Sequence, residues 1–146
     1  MKLMHAAFFS VILLAACKSG PTNQTTTGSP PVEGCYEFEQ NNSRVVAQLE
    51  VVGDSVKGPL QYDFYEKDDN EGEFAGTMRG DTLLGVYTFH SEGQRSQREV
   101  AFLREGERLV EGYGNASPKN GVFRFEAVDR LTFGQGVVLS KTDCDK

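Results

Sequence analysis

Arg98 and Glu111 are the residues of this chain whose type and spacing bear most directly on chemistry. Arg98 alternates in phase with Val100 and Phe102, and Glu111 with Leu109 and Tyr113. In strands, side chains two apart share a face, so the guanidinium and the carboxylate project with the apolar residues toward an interior. Charges there need each other or hydrogen bonds, and they can also hold the polar end of a bound molecule. Two roles stay open: a structural ion pair closing one end of the fold, or a binding site. Tyr62, Tyr87, Phe89 and Phe102 belong to similar alternating runs and would line an interior cavity with aromatic surface.

Two other polar concentrations invite a chemical reading. Glu66-Lys67-Asp68-Asp69-Asn70-Glu71 is the densest acidic run, and hard cations take several carboxylate oxygens. After Asp68-x-Asn70, however, the spacing of a calcium loop fails, and a solvated turn accounts for the run. His90, Ser91 and Glu99 contain the residue types of a hydrolase set, but no Gly-x-Ser-x-Gly surrounds the serine. No catalytic residue, metal or cofactor is therefore assigned, and a hydrolytic enzyme ranks third among the functions considered.

The elements that must position these residues read as strands. Alternation with period two runs through 35–40, 43–52, 55–66, 73–79, 81–91, 94–104, 109–113 and 122–132, and no segment sustains a helical apolar period. In 122–132, Phe123, Phe125 and Ala127 fall in phase as inward residues. Gly53-Asp54, Gly80-Asp81, Glu92-Gly93, Glu105-Gly106 and Asn120-Gly121 supply turn chemistry between the runs. The expectation is an all-β fold, a single antiparallel up-and-down meander of about eight strands that closes on itself to hide its edges. Glycines recur inside these strands, as in Val56-x-Gly58-x-Leu60-x-Tyr62 and Leu83-x-Gly85-x-Tyr87-x-Phe89. Such glycines mark sharp coiling or an aromatic ring lying over the backbone.

Upstream, Lys2 precedes an apolar stretch from Ala6 to Leu14, too short to span a bilayer, and Leu14-Ala15-Ala16-Cys17 ends it. That tetrapeptide resembles the lipobox of bacterial lipoproteins. The resemblance implies cleavage before Cys17, a diacylglycerol on its sulfur and a membrane anchor. Lys18, in place of the aspartate that retains such proteins in the inner membrane, implies an outer-membrane address facing the periplasm or the cell surface. The chain then divides into a signal peptide at 1–16, the lipidated cysteine and a disordered tether at 17–33, and a barrel domain at 34–146. The tether is rich in Thr, Ser, Gly and Pro and has almost nothing to bury. With Cys17 given to lipid by that resemblance, Cys35 and Cys144 remain, and in an oxidising envelope they would most simply form a disulfide. Two free thiols are the alternative.

The mature chain carries one lysine fewer than the precursor and a formal charge of −7, which argues against nucleic acid as a partner. Gly34-Cys35-Tyr36 resembles the Gly-x-Trp opening of lipocalins and other calycins, with Tyr in the place of Trp. That similarity implies a calycin-like barrel whose floor is plugged by Tyr36, with Arg124 or Arg130 packed across the ring. Together these readings give a non-enzymatic, lipid-anchored envelope protein that binds a small apolar ligand or a partner protein. The alternative is an envelope inhibitor of a hydrolase such as lysozyme. Cys17→Ser is expected to release the protein from membranes and abolish incorporation of labelled fatty acid; unchanged membrane fractionation would refute the lipobox.

Overall fold

The computed structural model describes residues 31–144; Cys17, the expected leader and most of the expected tether lie outside them. Ten strands are present: β1 (Gly34–Gln40), β2 (Ser43–Val52), β3 (Ser55–Asp63), β4 (Asn70–Arg79), β5 (Thr82–Ser91), β6 (Gln94–Glu105), β7 (Arg108–Tyr113), β8 (Ala116–Lys119), β9 (Val122–Phe125) and β10 (Thr132–Thr142). Strands β1 to β7 form the expected meander, each paired antiparallel to the next. Strand β10 then pairs with both β7 and β1, which closes an eight-stranded antiparallel barrel.

Alternation along the strands does what the sequence requires of it. In β3, Val56, Gly58, Leu60 and Tyr62 are buried while Lys57, Pro59 and Gln61 are exposed. The interior is a single cluster of Tyr36, Val45, Ala47, Leu49, Leu60, Phe74, Leu83, Phe102, Leu109, Leu139 and their neighbours. The strand glycines divide between the two predicted causes: at Gly58, held at a positive φ, a Cβ would run into the Gln48 backbone of the neighbouring strand, whereas Gly76 and Gly85 lie under a ring. Gly76 and Gly85 face each other across β4 and β5, and the Phe74 ring lies on both, within 2.7 Å of where either Cβ would stand. A side chain at either position would collide with that ring and with backbone.

The connections sort the barrel into two ends. One end carries the β2–β3, β4–β5 and β6–β7 turns, together with the chain entering β1 and leaving β10. Cys35 and Cys144 meet there at disulfide distance, Cα to Cα 5.2 Å, across a separation of 109 residues. The other end carries the β1–β2 and β5–β6 turns and the start of the β7–β8 connection. Asn41-Asn42 and Glu92-Gly93 both hold two positive φ angles there, as two-residue hairpin turns demand.

Several expectations are corrected. The barrel's closing strand is Thr132–Thr142, not 122–132. Gly134 and Gly136 break the alternation there, and the register shifts between Phe133 and Val138. Val122–Phe125 is instead half of a β8–β9 hairpin inserted between β7 and β10 outside the barrel, so Phe123 is 56% exposed rather than inward. Val32, placed in the tether by composition, is buried in the core cluster. Tyr36 is buried at the disulfide end of the barrel, but neither predicted arginine crosses it. The hairpin carries Arg124 to the other end, where it pairs with Glu99, while Lys141, the cross-strand partner of Tyr36, holds its Nζ 6.0 Å from the ring centroid.

A clasp between the first and last barrel strands should constrain the unfolded chain strongly. Replacing both Cys35 and Cys144 by Ser is expected to cost up to about 4–5 kcal/mol in urea unfolding; unchanged stability would contradict a closed bridge.

Candidate functional site

The polar residues inside the barrel collect at the end away from the disulfide. Glu111 on β7 is buried, 5% exposed, and both of its oxygens are engaged. The Tyr62 hydroxyl donates to Oε1 at 2.8 Å and the Tyr113 hydroxyl donates to Oε2 at 2.9 Å. Tyr113 in turn accepts a hydrogen bond from the Val137 N–H at 3.2 Å, in the bulged part of β10. Burial pushes the Glu111 carboxyl above its ordinary range, against the opposing pull of the two tyrosine hydrogen bonds and of the Arg98 charge. The Tyr62 hydroxyl is raised well above its usual value, chiefly by burial and then by the Glu111 charge. The same causes push Tyr113 up to about 12.

Arg98 does not pair with Glu111. Its guanidinium lies over aromatic rings, 4.8 Å from the Tyr62 centroid, 5.7 Å from Tyr87 and 5.9 Å from Phe89. Tyr87 and Phe89 are themselves stacked, centroids 4.8 Å apart and planes 14° from parallel, and the Tyr87 hydroxyl donates to the Asn70 carbonyl. Contacts of this kind stabilise a cation by about 0.5–2 kcal/mol each without satisfying any N–H donor. Among the described residues Arg98 has no hydrogen-bond or ion-pair partner, and its Nε is a buried donor left without an acceptor.

Beside this cluster the barrel wall opens. The β6–β7 ladder ends at Ala101 and Gly112, although β6 continues back to Gln94. Beyond that point β6 is flanked by β9 through one parallel bridge, Arg98 to Phe123. Glu99, on the outer face of β6, fixes the hairpin there: its Oε1 accepts from Arg124 Nη1 at 2.7 Å and its Oε2 from the Phe125 N–H at 2.8 Å. Between β6, the end of β7 and the hairpin lies a cleft of about 400 Å³. Phe89, Val100, Phe123 and Phe125 give it apolar walls, and Arg98 and Glu111 stand in its lining.

Of the residues singled out from the sequence, Phe89, Arg98 and Glu111 thus meet at one cleft. Tyr62, Tyr87 and Phe102 do not line it: they are fully buried core residues, with the first two supporting Arg98 and Glu111 from below and Phe102 edge-on to Phe74. His90 is exposed on β5 opposite Glu71, and Ser91 faces Gln94 at the turn, so Glu99 is not brought into a set with them. Among the described residues no cluster of His, Cys, Asp and Glu is placed to hold a metal ion. Glu99, Tyr113, Phe123 and Phe125 were not foreseen as site residues. Tyr113 carried a signal, its phase with Glu111, whereas the parallel bridge that brings in Phe123 and Phe125 has no local one. Comparison of the chain with protein-family models, with curated proteins and with solved structures finds no match.

Tyr62→Phe isolates the clamp. It leaves Oε1 of a buried carboxylate without its donor, an expected cost of about 1–3 kcal/mol. It also raises the Glu111 pKa further, because the lost hydrogen bond favours the charged form. Since the folded chain holds this proton more tightly than the unfolded one, Glu111 favours folding increasingly as pH falls from its folded pKa toward the ordinary carboxylate value. The variant should therefore recover part of its lost stability at mildly acidic pH. A ¹³C titration of the Glu111 carboxyl that is unmoved by the substitution would refute the clamp.

Proposed function

We propose that this chain is a lipid-anchored, non-enzymatic envelope protein whose barrel binds a small apolar ligand in the cleft between β6, β7 and the β8–β9 hairpin. The observation that carries this reading is the cleft itself, a space of about 400 Å³ with aromatic and aliphatic walls and a few convergent polar groups. That size lies toward the lower end of the roughly 300–1,000 Å³ typical of small-molecule sites. The groups beside it suit binding better than chemistry: a guanidinium stacked on rings, and a carboxylate whose oxygens are already taken by hydroxyls. The placement is also consistent with an anchor at Cys17. The chain enters the barrel at the disulfide end, and the cleft opens near the opposite end, where a tether would hold it away from the membrane surface.

The test uses the mature chain with Cys17→Ser and a neutral probe, octan-1-ol, followed by titration calorimetry. Saturable binding is expected, and Ala116→Trp, which places an indole in the cleft from the exposed strand β8, should weaken it at least about tenfold with the melting temperature held. Binding indifferent to Ala116→Trp, or no binding of any amphiphile, would overturn the proposal.

A further inference from the structure

The cleft has an electrostatic polarity that goes beyond apolar capture. Its lining holds three groups that are charged when ionised near neutral pH: Arg98, Glu99 and Glu111. The two carboxylates are committed, Glu99 to Arg124 and the Phe125 N–H, Glu111 to Tyr62 and Tyr113. Only the cation is not. A guanidinium presents five N–H donors in a planar fork, and here the surrounding protein offers it ring faces and no acceptor among the described residues. Nε is buried and unsatisfied. The two Nη groups are absent from the buried, unsatisfied set and have no protein partner, so they are open to the space beside them. Leaving the buried Nε unmet is costly, and an acceptor of opposite charge placed on the fork relieves that cost most effectively.

We infer that the ligand is an amphiphile with a single anionic head, a carboxylate on a short apolar chain, whose head engages the Arg98 fork while its chain lies against Phe89, Val100, Phe123 and Phe125. This rests on the cleft reading above and adds the ligand's charge and size. Among the described lining residues Arg98 offers one donor fork not spent on a protein acceptor, which suits a single carboxylate head; a second negative charge on the ligand would meet Glu99 and Glu111. At roughly 30 Å³ per heavy atom, about 400 Å³ accommodates on the order of a dozen heavy atoms, so an eight- to ten-carbon acid fits within the cleft. Three ring faces, of Tyr62, Tyr87 and Phe89, crowd the guanidinium, so the head would meet a packed donor set rather than a freely moving one.

Three probes of one chain length separate the possibilities: octanoate, octan-1-ol and octylammonium, titrated at neutral pH into the mature chain with Cys17→Ser. Octanoate is expected to bind about tenfold or more tighter than octan-1-ol, with octylammonium weakest. In Arg98→Gln the ratio of octanoate to octan-1-ol affinity should fall to about one. Equal affinity for octanoate and octan-1-ol in the wild type would overturn the anionic head while leaving the apolar cleft standing. Preference for octylammonium would overturn it in favour of recognition by Glu111. Absence of binding by all three would remove both readings. The wild-type comparison decides the matter even where Arg98→Gln does not fold.

Discussion

The carboxylate of Glu111 is the constraint around which the far end of the barrel is arranged. A buried charge is tolerated only when its lone pairs are satisfied, and two tyrosines satisfy these from different directions. Tyr62 reaches it from β3, and Tyr113, two residues along β7, reaches it while accepting the Val137 N–H of β10. One side chain thereby ties three barrel strands together next to the point where the β6–β7 ladder ends. The bulge in β10 follows from the same need, since the shifted register brings a backbone N–H to the Tyr113 hydroxyl.

Satisfying Glu111 with hydroxyls rather than with a guanidinium has a consequence for Arg98. The two charges still feel each other, but the hydrogen-bonding capacity of the cation is not spent on the anion. Tyr62 serves both, donating its hydroxyl to Glu111 and offering its ring face to Arg98. Strand β6 meanwhile departs from β7 and takes the β8–β9 hairpin as its neighbour, latched through Glu99. The result is an opening beside a ring-packed cation that, among the described residues, has no hydrogen-bond partner, at the end of the barrel remote from the disulfide.

Most of this barrel was legible because its strands obey one simple rule. Alternation located β1 to β7, put Arg98 and Glu111 on the inner face, and marked Gly58 and Gly85 as places of sharp coiling or of a ring on backbone, of which Gly85 has the ring. What escaped was non-local or irregular. Strand β10 hides behind Gly134-Gln135-Gly136, whose register shift destroys the period that would have revealed it. Phe123 and Phe125 alternate like core residues, and only the bridge to Arg98 shows that they belong to an external hairpin. The pairing of Arg98 with rings rather than with Glu111 depended on Tyr62 and Tyr113 converging from separate strands, which spacing along a single strand does not encode.

A crystal structure of the mature chain grown with octanoate tests the central claim most directly. The expected result is a carboxylate at hydrogen-bond distance from the Arg98 guanidinium, the alkyl chain along Phe89 and Phe125, and Glu111 still held by Tyr62 and Tyr113. Octanoate lodged elsewhere, or an Arg98 turned to pair directly with Glu111 beside an empty cleft, would contradict it.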